Sequence, residues 1–299
     1  MAWNYSFEAS VAENQAIGRL CDMTGHQSPF EAVRARSRML LAAFGNLTPP
    51  FDPEEMAGLQ GIGSVDRSDI TFDACLLPTP DGFRVEVCKY HGRGRQNFSI
   101  AHEIGHTFFI ELEPSLGAAR REVTVPTVSS ANSPLIERLC DAAAAELIWP
   151  THIFERDAWK AGPSLEAVLY LASRYRGSVT ATGRRFAEIG PWRCAFIIWG
   201  ADDGAGSARK LFPRSIYRSS CASLPSRDRI VAGDGSQVYR AINCEHIVKG
   251  RETLGPDERS HYVESIKIGQ DVISMVVLEP YAEIVAAKRP TPAQALLFK

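Results

Sequence analysis

The sequence predicts an α+β protein: a mostly helical core with a small β-sheet, followed by a β-rich C-terminal part. Three observations predict it. Helical apolar stripes dominate residues 30–190, and one pair of β-type runs joined by turn residues interrupts them. From Arg193 onward short apolar runs are separated by Gly, Asp and Ser. With 299 residues, 45% apolar and 23% charged, the chain can bury a large core without disulfides.

Taken in order, residues 1–28 carry no clear periodicity and read as an N-terminal extension. Phe30, Val33, Leu40, Leu41 and Phe44 fall near helical spacing, interrupted by Arg34, Arg36 and Arg38, and Gly45 is placed to end that helix. Asp52-Pro53-Glu54-Glu55 starts a short helix, with Asp as N-cap, Pro at the first position and acids in the first turn. Gly61 closes it. The runs Ile70–Leu77 and Phe83–Lys89 flank Pro78-Thr79-Pro80-Asp81-Gly82, which is turn chemistry, so a hairpin is expected. Asn97–Leu112 (NFSIAHEIGHTFFIEL) reads as a helix that Asn97 can cap, with Ile100, Ile104, Phe108 and Leu112 as its stripe. A polar stretch, Glu113–Pro134, reads as a loop before a helix over Leu135–Ile148. Helices at Leu165–Arg176 and Val179–Ile189 follow, punctuated by Ser164, Gly177 and Gly190. Beyond them come β-type runs such as Cys194–Trp199 and Val272–Leu278.

Composition excludes several classes. The formal charge is −2, without a long run of Lys and Arg, so direct nucleic-acid binding is disfavoured. The seven cysteines are odd in number and show no C-x-x-C pair, which fits reduced thiols in the cytoplasm. Cys194, Cys221 and Cys244 read as buried thiols. Neither a secretory leader nor a membrane-length apolar run is visible, so a soluble cytoplasmic protein is expected.

The most informative segment is His102-Glu103-Ile104-Gly105-His106, an H-E-x-x-H pattern. Positions i and i+4 of a helix stack on one face, so both imidazoles can reach one ion, with Glu103 beside them as the base for a metal-activated water. Two neutral imidazoles and a carboxylate suit Zn²⁺, leaving one position for water. Mid-helix Gly105 is costly and suggests another backbone close by, such as a strand lining a cleft. The further His of the metzincins is excluded, because Phe109 and Leu112 stand where Gly and His would be needed. Glu137, Asp141 and Glu146 of the next helix offer the third ligand. Glu137 is the candidate, with Asp141 on the same face as an outer partner for an imidazole N–H. From spacing alone, a solvated helix-start carboxylate is an equal reading of Glu137. The small run Ala142–Ala145 would let this helix approach the His-bearing one. His152, Arg174, Tyr170 and Tyr175 could serve an oxyanion but read as structural.

The segments GRQNFSIAHEIGHTFF (Gly94–Phe109) and IERLCDAAAAELIWP (Ile136–Pro150) resemble the ImmA/IrrE family of metallo-endopeptidases. The resemblance takes in the Pro-Glu-Glu helix at Pro53–Gly61 and LASRYRGSVTATGRRFAEIG (Leu171–Gly190). It implies His102, His106 and Glu137 as metal ligands and Glu103 as general base. Cys140-Asp141 stands where the family commonly has Ala-Asn, and Ala143 replaces a common Phe. The resemblance covers about residues 30–190 and implies a zincin-like protease domain over 29–162 followed by a helical pair over 163–190; the change of texture after Gly190-Pro191 marks a β-rich domain over 191–299. Some members carry a GAF-like sensor there, which would take a small-molecule signal. Family members resemble regulatory proteases that cut helix-turn-helix repressors, so such a repressor is the expected protein substrate. The pair Leu165–Ile189 could pass for a helix-turn-helix itself, but its few cations favour a helical buttress. Two rival functions are a sensing regulator with structural zinc and no proteolysis, and a zinc hydrolase acting as a toxin.

Overall fold

The computed structural model describes residues 10–117, 133–201, 211–220, 222, 224–233, 235–254 and 260–278. The fold is mixed helix and sheet, as expected. It divides into two compact units: residues 1–150 with 174–178, and residues 151–173 with 179–299.

The first unit opens with a helix, α1 (Val11–Thr24), where the sequence shows only an extension. A capping box explains it: the Ser10 hydroxyl accepts from Glu13 N, and the Glu13 carboxylate accepts from Ser10 N. Ala16, Ile17 and Leu20 are its buried face, and Gly25 ends it in the left-handed region. Helix α2 (Pro29–Phe44) and the short α3 (Pro53–Ala57), capped by Asp52, follow. Strands β1 (Ile62–Ser68), β2 (Ala74–Thr79) and β3 (Gly82–Cys88) form a sheet in the order β1-β3-β2. The β2–β3 pair is the expected hairpin, while β1 runs parallel to β3.

Two long helices close this unit. Helix α4 (Arg93–Leu112) carries the H-E-x-x-H motif, and α5 (Pro134–Ile148), capped by Ser133, carries Glu137. Helix α4 begins four residues before the expected start. Gly92 is its N-cap, and Asn97 is a buried helical residue whose Nδ2 donates to the Arg176 carbonyl at 3.0 Å. Gly94 is needed there, since a Cβ would stand 2.4 Å from the Ser178 backbone nitrogen. Two of the arginines that interrupt the apolar stripe of α2, Arg36 and Arg38, tie it to both long helices. Arg36 pairs with Glu111 of α4 at 2.7 Å, and Arg38 reaches the fully buried Glu146 of α5 at 3.4 Å. Helix α1 holds the facing ends of the same two helices: Arg19 donates to the Leu112 carbonyl and Glu113, and Glu13 accepts from Ser133 N at 2.6 Å.

The second unit contains helices α6 (Thr151–Ala161), α7 (Leu165–Arg174) and α8 (Val179–Ile189). An antiparallel sheet of β4 (Cys194–Ala201), β5 (Leu211–Arg218), β6 (Val248–Thr253), β7 (Ser260–Ile268) and β8 (Asp271–Val277) has the order β5-β4-β8-β7-β6. The short helix α9 (Gln237–Ala241) packs on one face, over a core that includes Ile197, Trp199, Val263 and Val276. Glu264 of β7 is fully buried and accepts from Leu165 N at 2.6 Å, capping α7, while Lys249 lies 3.1 Å from it and also pairs with Glu166. Arg185 is buried and donates to the Thr151 hydroxyl at 3.0 Å, so that cation of α8 serves packing. No helix among the described residues is long and apolar enough to cross a membrane.

Candidate metal centre

The site lies between α4 and α5 in the first unit. The two helices approach closely because their facing residues are small. A Cβ on Gly105 would meet the Cys140 Cα at 3.0 Å and the Ala143 Cβ at 3.2 Å. The close backbone that Gly105 implied is therefore a helix and not a strand. Phe98 packs on Trp149 (ring centroids 6.3 Å), and Gln96 Nε2 donates to the Cys88 carbonyl at 3.0 Å. Those contacts fix the start of α4 against the end of α5 and against the sheet.

Stacking on one helix face brings the His102 and His106 rings to 4.9 Å, edge to face. Glu137 meets both: its Oε2 is 3.1 Å from His102 Nε2, and its Oε1 is 3.7 Å from His106 Nε2. Ligand atoms about 2.1 Å from a tetrahedral ion stand roughly 3.4 Å apart, so these separations are of the right size. Asp141 Oδ1 lies 2.9 Å from His102 Nδ1, the outer partner that the spacing suggested. Glu103 is buried beside the pair, and its charge acts on His102.

Electrostatics favour positive charge at this place. Burial disfavours a charged His102, but the hydrogen bonds to Asp141 and Glu137 and the charge of Glu103 outweigh it, pushing the imidazole up to about 10. A divalent cation would take the place of that proton and answer the same carboxylates.

Cys140, which the sequence did not single out as a site residue, belongs to the same neighbourhood. One nitrogen from each of His102 and His106 and the Cys140 sulfur lie within 4.8 Å of one another. This set competes with the one ending in Glu137, and the geometry separates them. The sulfur lies 3.3 Å from His106 Nδ1, whereas Glu137 faces the Nε2 of both rings. The carboxylate offers one oxygen to the Nε2 of each ring, and the sulfur sits at the other nitrogen of His106. Tyr175 is fully buried, its ring centroid 6.2 Å from that of Phe51. Cys194 is buried as expected, Cys244 is only half-buried, neither is in a disulfide, and Cys221 lies outside the described residues.

Comparison with known proteins bears on the same segments. Residues 84–187 match the family model of the IrrE N-terminal-like domain (Peptidase M78). The chain is 28% identical over 211 residues to the radiation response metalloprotease IrrE of Deinococcus deserti, covering 68% of this chain and 70% of that protein. It is 24% identical over 216 residues to the protein of the same name from Deinococcus radiodurans, of which it spans 60%. In fold it is similar to a solved Mycobacterium tuberculosis transcriptional regulator, with a TM-score of 0.58, 18% identity, and coverage of 94% of this chain and 88% of that one.

Proposed function

From the premise that the domain match and the two IrrE relatives support assigning this chain to the ImmA/IrrE family, we propose that it is a zinc-dependent endopeptidase. In this reading it acts on a protein substrate in the cytoplasm. The observation that carries the reading is the convergence of one carboxylate, Glu137, on the Nε2 atoms of His102 and His106. Two imidazoles and a carboxylate are the donor set of a catalytic zinc with one position open.

His102, His106 and Glu137 would hold the ion, and Asp141 would keep the His102 ring in the orientation that presents Nε2. A bound cation supplies Lewis acidity toward the scissile carbonyl and the attacking water. Glu103, buried beside the pair, would take the proton of the attacking water and pass it to the leaving amine. The free thiols of the described residues suit a reducing compartment.

The reading extends to organisation. Residues 29–162 act as the protease, 163–190 as a helical linker and 191–299 as a sensor for a small-molecule signal. A five-stranded antiparallel sheet whose order, counted within it, is 2-1-5-4-3 supports a GAF-like comparison. A helix-turn-helix repressor is the proposed substrate. The test is to incubate candidate helix-turn-helix repressors from the same organism, first any encoded by a neighbouring gene, with wild type and with Glu103→Gln, both zinc-loaded. Wild type should cleave one of them at one site and the variant should not. Equal cleavage by both would remove Glu103 from the chemistry. Loaded, folded wild type that leaves the cognate repressor intact would instead favour a regulator with structural zinc.

A further inference from the structure

We infer that Cys140 is a positioning residue of the metal centre: its sulfur fixes the ring orientation and tautomer of His106. The inference rests on the metal site proposed above and adds to it a residue that no family resemblance supplies.

A neutral imidazole carries one N–H and one lone pair. The Nε2 of His106 faces Glu137 at 3.7 Å, on the side where a cation would sit, so its lone pair must be free for the metal. The hydrogen then resides on Nδ1, and that nitrogen lies 3.3 Å from the Cys140 sulfur, within hydrogen-bond range of a sulfur acceptor. His102 is served in the same way, its Nδ1 lying 2.9 Å from Asp141. Glu137, Cys140 and Asp141 are positions i, i+3 and i+4 of α5, one face of one helix. A single turn therefore provides a ligand and an outer partner for each of the two imidazoles.

The surroundings explain why a thiol occupies this place. Cys140 is fully buried, and its Cα is the atom a Gly105 Cβ would strike at 3.0 Å. Only a small side chain fits, and a carboxylate would add another buried charge beside buried Glu103 and half-buried Glu137. A thiol is compact and apolar and still accepts a hydrogen bond. Direct ligation by the sulfur is the competing geometry. It would draw the ion to the Nδ1 edge of His106 and leave the approach of Glu137 to both Nε2 atoms without use.

The test uses the full chain as wild type, Cys140→Ala and Cys140→Ser, each loaded with zinc or cobalt. Zinc affinity is read by chelator competition. The His106 Nδ1–H is followed by long-range proton–nitrogen NMR, and thiolate ligation by the near-ultraviolet charge-transfer absorption of cobalt. Wild type should show a protected His106 Nδ1–H and no thiolate band. The Ala variant should bind zinc about 10–100-fold more weakly and lose that protection, the usual consequence of deleting an outer partner. The Ser variant, which keeps an acceptor, should recover part of both. Unchanged affinity and an unchanged His106 signal in both variants would reduce Cys140 to packing. A thiolate band in wild type, absent from both variants, would make Cys140 a ligand and overturn the inference. Failure of wild type to bind either ion would overturn the metal-centre reading itself, a result distinct from the other two.

Discussion

Gly105→Ala tests how the two metal-bearing helices are held together. In an isolated helix this change gains about 0.5–1 kcal/mol, because Ala is the better helix former. Here the added methyl would sit 3.0 Å from the Cys140 Cα and 3.2 Å from both the Cys140 and Ala143 Cβ atoms. Comfortable carbon–carbon separations are about 3.5–4.0 Å, so α5 must retreat by about half an ångström. Overpacking of that kind costs about 1–3 kcal/mol, leaving a net destabilisation on the order of 1 kcal/mol. For a unit of this size that lowers Tm by roughly 2–4 °C. The retreat carries Glu137, Cys140 and Asp141 away from the histidines together, so zinc affinity should fall about tenfold or more. Thermal unfolding of metal-free protein and chelator competition with zinc measure the two effects. A Gly105→Ala protein that melts higher than wild type and binds zinc equally would refute the close-seam argument.

Three further outcomes are expected. Asp141→Ala removes the partner of His102 Nδ1 and should weaken zinc binding about 10–100-fold while leaving the fold intact, as read by competition titration and circular dichroism. Glu13→Gln places an amide where a buried carboxylate accepts from Ser10 N and Ser133 N, and should cost about 1–3 kcal/mol in a denaturant melt; no loss would mean α1 does not brace the start of α5. The third concerns pH. Burial and the nearby Glu166 push Glu264 up to about 7 from an ordinary 4.5, against the pull of Lys249. Because the folded value lies above the unfolded one, its contribution to stability is fully present below about 4.5 and is lost as pH rises through about 7. Comparing melts at several pH values across that window should show a slope for wild type that flattens in Glu264→Gln.

The site was the most legible part of the sequence, because two His four apart on a periodic helix declare their own geometry. Gly105 announced a close backbone, and the alanines of α5 announced which element could come near. The Cys140–His106 contact could not be read, since it depends on the register between two helices far apart in the chain. Helix α1 does not show in the sequence although Ser10-x-x-Glu13 is a capping box, because its buried face of Ala16, Ile17 and Leu20 is too short to show a period. Strand β1 does not show in the sequence because GSVDRS is polar and largely exposed, an edge held by backbone pairing to β3. Asn97 is not the cap that its side chain suggests, since nothing in Arg93–Gln96 stops a helix that Gly92 begins. In the second unit, Pro213 within edge strand β5 and the buried Glu264 within β7 hid strands that the sheet accepts for reasons of pairing and capping.

The most direct measurement is the zinc content and affinity of Glu137→Gln beside Glu103→Gln, with folding of both checked by circular dichroism. One ion per chain should remain in the Glu103 variant, whose carboxylate is not a ligand, and be lost or bound far more weakly in the Glu137 variant. A Glu137→Gln protein that holds zinc as tightly as wild type would show that the three donors do not share one cation.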